Sequence, residues 1–453
     1  MPQHVTVGIV GGGVAGLALA KMLEMLGISY ILYESYHTIA PNAGASLGLI
    51  PSGLRIFDQL GVLDKIEAFS VDHDRWEHRD GESGRLYRRT SVMRNYPSLF
   101  GYGAFFMARQ DVLKILFDSL EDKSPVYASK RVTSVRDLGD LAVVEAADGD
   151  SFTCDFVAGA DGVRSTVREA IHAQTARPPA HYLRASTACV FGMSTPLPQM
   201  AAGQFFAVYR RKVSALVFAG LNGKLYWFLF KQLDEPLAYG PQRKFTDADI
   251  DAVHIELADT IVTDGVRISD VFARREVAVM TALEEGVGED WFCGRLFLLG
   301  DSAHKMVPHA AMGANQAMES AACFVNSLRR TRPSLGKEHC PNISAPEIQQ
   351  CLSRYADRRK DMLKAVVQAA TASRNNQLMV GSAAQDFLRV LPDIREEDML
   401  LKPLQSLIGA ERLEDWMCRS ERVEKYTEAS GRALDILNRG GSLADCGLQG
   451  GSK

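Results

Sequence analysis

The sequence predicts an α/β fold whose parallel-sheet domain carries an antiparallel, α+β insert and a set of C-terminal helices. Three observations predict it. Residues His4–Glu34 run strand, glycine loop, helix, strand; His181–Lys231 is dense in β-branched and aromatic residues; and beyond Asn315 apolar residues recur at helical spacing. In the first unit Val5, Val7, Ile9 and Val10 read as a buried parallel strand, followed by Gly11, Gly13 and Gly16 in GxGxxG spacing. The first glycine permits the tight turn, the second lets backbone approach a pyrophosphate, and the third lets helix and strand pack closely. A helix from Val14 to Leu26 points its positive end at the phosphates. The strand Tyr30–Tyr33 ends at Glu34, whose carboxylate can accept both hydroxyls of a ribose. Strand, loop, helix, strand and acid in that order are the signature of a Rossmann-like dinucleotide-binding domain.

The remaining elements follow in order. Pro51–Leu60 and Arg109–Leu120 carry apolar stripes at helical spacing. Val126–Val157 reads as a meander turning at Asp148-Gly149-Asp150 and ending in an apolar strand that meets Asp161-Gly162. The insert has a hairpin signal at Leu221–Lys224. Arg295–Leu299 is another apolar strand, feeding Gly300-Asp301; Asn315–Arg329 and Ala356–Ser373 are helical in pattern. This divides the chain into a first part of the nucleotide domain (1–180), the antiparallel substrate domain (181–285), a return to the nucleotide domain (286–330), a Pro/Ser/Gly-rich loop (331–345), C-terminal helices (346–439) and a disordered tail (440–453).

Composition narrows the function. The 453 residues carry a net charge of −4 without a basic face, which argues against nucleic acid. Eight cysteines lack CxxC or other metal spacing and read as reduced thiols, so no metal is expected. The first strand begins at once, which leaves no room for a leader, and no run approaches a membrane span. The expectation is a cytoplasmic protein, with peripheral attachment to a membrane surface left open and the oligomeric state unread. Leu400, Leu401, Leu404, Leu407 and Ile408 form an apolar stripe that packs on the core rather than lying on a membrane.

Only one GxGxxG occurs; the mid-chain GADGVRSTVR (Gly159–Arg168) lacks the spacing. Together, the loop GGGVAGL, DGVRSTVR and GDSAHKMVP resemble the class A, single-component FAD-dependent monooxygenases over residues 5–325. The runs Gly44–Gly61, Leu225–Lys231 and Gly300–Pro308 are similar to a narrower branch, the fungal epoxidases and monooxygenases of indole-diterpene and meroterpenoid biosynthesis.

The resemblance implies FAD as cofactor and NADPH or NADH as cosubstrate. Gly11, Gly13 and Gly16 would meet the FAD pyrophosphate and Glu34 the adenosine ribose. Gly48 would join the cofactor site, and Arg109 would pair with FAD phosphate or ribose, a task that suits a bidentate donor. Asp161 would hold backbone near FAD, while Arg164 or Arg168 either reaches toward NAD(P)H or forms a structural ion pair. Gly300 and Asp301 would contact ribityl chain and pyrophosphate, and a helix opening at Gly313-Ala314 would face the flavin ring with its positive end. No catalytic side chain is named beyond the flavin; His304, Lys305 and Met306 are candidates for the pocket, His304 reading first as loop support. His309 could line the pocket or pack. Alternation along Tyr226-Trp227-Phe228 lets at most one face of that strand meet substrate. Two departures stand out. Ala311 replaces a glycine usual in such relatives, costing little if φ is negative, and Ser320 replaces an acidic residue.

The implied chemistry is monooxygenation with NAD(P)H and O2 through a C4a-hydroperoxyflavin, which needs a dry pocket. A phenol needs a base to raise its electron density, whereas an isolated prenyl alkene needs only orientation. The leading expectation is therefore epoxidation of a prenyl alkene in an apolar secondary metabolite. An aromatic-ring hydroxylase of the same class is the alternative, and a flavin-free binding or escort protein the remote one.

Overall fold

The computed structural model describes residues 3–42, 46–176, 178, 181–240, 243–336, 343–414 and 420–448. Its first sheet runs Phe292–Cys293, Leu296–Leu298, Ser151–Gly159, His4–Val10, Tyr30–Tyr33, Val126–Tyr127. The pairings from Leu296–Leu298 through Val126–Tyr127 are parallel. The meander strands Val132–Asp137 and Ala142–Ala146 extend from Ser151–Gly159 in antiparallel register. Val7 and Ile9 are fully buried because helices cover both faces, which is why the strand reads as continuous apolar sequence. The helix Val14–Met25 packs on the helix Gly313–Thr331, so the first and third chain segments share one core.

The second sheet has the order His304–Lys305, Arg275–Val287, Arg184–Ser194, Leu225–Ala238, Val213–Ala219, Gln204–Tyr209, Arg75–Asp80, Leu86–Thr90. Its hairpin turns at Asn222 and Gly223, both left-handed (φ 56° and 74°), as the Asn-Gly signal requires. Two strands at its far edge come from residues 75–90, outside the 181–285 stretch, and Arg75–Asp80 joins Gln204–Tyr209 in parallel. That strand is RWEHRD, too polar to read as buried. Its buried Glu77 is paired with Arg79 at 3.1 Å and Arg89 at 2.9 Å, so ionic satisfaction stands where apolar residues were expected.

The C-terminal helices differ from expectation in extent. The long helix spans Ala345–Gln377, starting earlier than Ala356 because Ser344 and Glu347 form a capping box around Pro346 in the first turn. In the helix Glu396–Gly409 the residues Leu400, Leu404 and Leu407 pack against Tyr96, Leu99 and Phe100, while Ile408 is 47% exposed and lies off the stripe. The expected disorder from 440 is corrected for Gly440–Leu448. Leu443 is buried in the same cluster, and Ser442 donates to Asp445 at 2.8 Å in a closing turn; residues 449–453 of that stretch lie outside the described residues. Of the 331–345 loop, 337–342 also lie outside them; on either side, Leu335 and Ile343 are buried.

Candidate active site

The glycine loop behaves as its spacing predicts. Gly11 is left-handed (φ 104°), and a methyl on Gly16 would stand 2.0 Å from the Gly11 carbonyl oxygen, so helix and strand touch there. At Gly13 a methyl would meet nothing closer than the Arg109 guanidinium at 3.8 Å, which leaves open space before the helix. No side chain caps either the Val14–Met25 or the Gly313–Thr331 helix, so their first N–H groups face the same space. Glu34, at the end of its strand, accepts from Gly12 N at 2.6 Å and Tyr36 N at 2.8 Å, which holds its carboxylate beside the loop.

Arg109 opens the Arg109–Asp118 helix at the cavity wall, with no hydrogen bond or ion pair among the described residues. Burial pulls its guanidinium below the ordinary arginine value, while Asp301 and Glu34 nearby push it back up. Gly300 (φ 60°) turns the chain after Leu296–Leu298 and places Asp301 at the carboxyl end of the sheet, paired with Lys305 at 2.5 Å. An unpaired guanidinium, two uncapped helix starts and a side-chain-free loop fit a dinucleotide diphosphate.

One cavity of about 710 Å³ joins these parts: Gly13, Gly48, Arg109, Gly300, Asp301, Gly313 and Ala314 all line it, as do Lys305 and Met306. Gly11, Gly16 and Asp161 stand behind that wall. Asp161 accepts from Thr166 N at 2.7 Å at the start of the next helix, whose cap is Ser165, and burial raises its carboxyl pKa. His304 does not reach the cavity, correcting its candidacy as a pocket residue. It is 1% exposed, contacts Ser320 at 3.2 Å, and burial lowers its pKa to about 3. Both arginines of DGVRSTVR have protein partners, and Arg164 keeps Nη1 without one among the described residues. Arg168 is buried and donates to the Ser302 carbonyl at 3.0 Å and the Tyr239 hydroxyl at 3.0 Å, and Arg164 pairs with Glu284 at 2.9 Å. The condition placed on Ala311 also fails, since its φ is 52°. Its methyl lines the cavity against Gly48, where a side chain would sit 2.6 Å from the Ala311 Cβ. Asn315 clamps both segments, donating to Gly48 O at 3.0 Å and Ala311 O at 2.6 Å. Ser320 lies beside the buried Glu319–Arg359 pair (3.2 Å) and contacts Arg359 Nε at 3.2 Å.

Beyond this cradle the cavity is aromatic. Phe106, Phe218, Phe205 and Trp76 stack in sequence, with centroids 3.7, 4.1 and 4.9 Å apart and rings within 19° of parallel. Phe228 stands edge-on to Phe106, while Trp227 faces the other way onto Phe272 and donates to Ser194 at 2.8 Å, as alternation requires. His309 lies on Phe230 (3.9 Å), and His73 lies near Phe218 (5.7 Å). Burial lowers the pKa of His309 to about 3 and of His73 to about 4, so both are neutral. Lys402, Pro403, Ser406 and Leu407 of the Glu396–Gly409 helix complete the wall. Sequence reasoning missed the stack, His73 and this helix. The four rings come from four separate strands, and no spacing rule joins them. Among the described residues no cluster of His, Cys, Asp or Glu is arranged to hold a metal, and no helix is long and apolar enough to cross a membrane.

Comparison with known proteins agrees with this geometry. The family described as FAD binding domain matches residues 4–331. The FAD-dependent monooxygenase olcE of Penicillium canescens is 35% identical over 381 residues, covering 82% of this chain and 80% of its own. The FAD-dependent monooxygenase ausM of Aspergillus calidoustus is 35% identical over 413 residues, covering 90% and 87%. Among solved structures, Klebsiella pneumoniae HpxO complexed with FAD and uric acid superposes with a TM-score of 0.73 at 21% identity, covering 89% of this chain and 97% of its own. A salicylate hydroxylase–substrate complex gives 0.69 at 18%, covering 95% and 98%. A glycine-loop cradle opening into an aromatic cavity is thus built on a shared framework, and the chain belongs to the FAD-binding-domain family as an FAD-dependent monooxygenase.

Proposed function

We propose that this enzyme epoxidises a prenyl alkene of a large apolar metabolite, using NAD(P)H and O2. Bound FAD supplies the chemistry, accepting hydride and activating oxygen. The chain's part is to hold, orient and keep dry. In this reading Gly11, Gly13, Gly16 and Arg109 meet the diphosphate, Glu34 the adenosine ribose, Gly300 and Asp301 the ribityl side, and the Gly313-Ala314 helix start the flavin ring, with Gly48 flanking it.

The observation that carries the reading is the aromatic cavity joined to that cradle, whose two histidines are buried among rings and neutral. Its histidines are depressed to about 4 and about 3, so they are weak acceptors for a phenol proton, and Lys305 is tied to Asp301. An alkene needs no such proton transfer; it needs the stacked wall to exclude water and fix the double bond.

The test is anaerobic reduction of the holoenzyme by NADPH, followed at the flavin absorbance with prenylated and phenolic compounds, then product analysis in air. Faster bleaching with prenylated compounds and an epoxide product are expected. Coupled hydroxylation of phenols with no epoxide would replace epoxidation by ring hydroxylation.

A further inference from the structure

Part of the cavity's hydrogen-bonding capacity has no use in the oxygenation itself. His73, two residues before the Arg75–Asp80 strand, is 4% exposed and lines the cavity. Its main-chain N–H is satisfied by the Ala104 carbonyl at 3.2 Å. The ring leans toward the Gly203 backbone, yet among the described residues neither ring nitrogen completes a hydrogen bond of ordinary geometry. Three residues on, Trp76 lines the same cavity with its indole N–H buried and unpaired. Phe218 lies beside His73 at 5.7 Å, and Trp76 lies between Phe205 at 4.9 Å and the ring of His78 at 4.3 Å, whose Nδ1 is engaged with the Tyr209 hydroxyl at 2.8 Å. Buried donors without partners are rare in folded proteins, and in a binding cavity their missing partner is a ligand atom.

We infer that His73 and Trp76 are specificity-determining residues that read an acceptor oxygen, hydroxyl or carbonyl, on the ring system of the substrate, which lies along the ring edges of the Phe106–Phe218–Phe205–Trp76 stack. The choice of oxygen follows from donor chemistry. Trp76 can only donate, and neutral His73 offers one donor and one acceptor, so the pair is satisfied by an oxygen. A ligand whose sole polar group is an N–H leaves the Trp76 indole unpaired. The substrate class is therefore an oxygen-bearing ring with a prenyl chain, its chain running from the stack toward Gly48 and Ala311. The inference rests on reading the cavity as the substrate site of the proposed epoxidation.

The experiment compares 4-farnesylphenol with farnesylbenzene, a pair differing by one hydroxyl, by titrating each into FAD-loaded protein and following the flavin difference spectrum. The wild type is expected to bind the phenol about tenfold to hundredfold more tightly. His73→Phe should remove most of that preference while leaving farnesylbenzene within about threefold of wild type. Trp76→Phe, which keeps a ring on Phe205, should remove part of it, and His73→Asn should restore part. Equal binding of the two probes by wild type would mean that water serves these groups, and would overturn the inference. So would a preference that survives His73→Phe and Trp76→Phe, or an equal loss for both probes. If His73→Phe fails to retain flavin, Trp76→Phe and His73→Asn decide. Discrimination without any epoxide would remove the epoxidase reading and leave this one standing; epoxide formation without discrimination would do the reverse.

Discussion

Adding a methyl at Gly48 should destabilise the holoenzyme through one contact, and removing the methyl of Ala311 should rescue it. The new Cβ would lie 2.6 Å from the Ala311 Cβ, against roughly 3.5–4.0 Å for relaxed carbon contacts. Strand and turn must therefore part by about 1 Å, and Asn315 resists by bonding both carbonyls. Overpacking of this kind costs about 1–3 kcal/mol, and the clamp places Gly48→Ala in the upper half. Ala311→Gly alone should change little. It releases about 1 kcal/mol of left-handed strain and gives back roughly 0.4–1 kcal/mol in unfolded-chain freedom. In the double variant only the Phe106 ring edge, 3.1 Å from the new Cβ, still crowds it, so a penalty near about 1 kcal/mol remains. Chemical denaturation in excess FAD, followed by flavin release, measures all four proteins. Single effects that add to within about 0.5 kcal/mol would show that the two residues do not press on each other, and would refute the reasoning.

Arg109→Ala should weaken FAD binding to apo-protein by about tenfold to hundredfold, with Arg109→Lys between, because a point charge replaces a bidentate fork; unchanged affinity in a fluorescence titration would remove Arg109 from the cradle. The buried His304 sets a pH dependence. Its folded pKa of about 3 lies below the ordinary 6.5, so its stabilising share is complete above about pH 6.5 and is lost as pH falls toward about 3, approaching roughly 1.4 kcal/mol per pH unit. His304→Asn should flatten the stability profile between about pH 6 and 4.5 by close to one proton, and an unchanged slope would assign the loss to other groups.

How far the sequence could be read depended on how local each signal was. Gly11, Gly16 and Glu34 were legible because a turn, a close approach and a strand end each leave their mark within a few positions. Arg164 and Arg168 were not decidable, since a guanidinium that reaches solvent and one that binds Ser302 and Tyr239 look alike in sequence. Ala311 shows the same limit in the backbone, because an alanine at positive φ is visible only once Pro308–Ala310 is seen to form a tight turn. His73 and Trp76 lie in a polar stretch with no motif, and their meaning comes from rings contributed by strands more than a hundred residues away. The tail from Gly440 read as disordered from its glycines and serines, since the single buried leucine that anchors it, Leu443, carries no periodic signal.

The parallel seam between Arg75–Asp80 and Gln204–Tyr209 bears on how such enzymes exchange specificities. A recombination event that moved residues 181–285 as a cassette would strip Gln204–Tyr209 of its neighbour, leaving an unpaired edge prone to aggregation. It would also leave behind His73, Trp76 and Phe106, which line the same cavity. A viable chimaera therefore has to carry residues 72–90 with the later block, two exchanged segments rather than one. Domain shuffling at the visible sequence boundary is thereby penalised, and new specificities are reached more readily by point substitution along the aromatic stack.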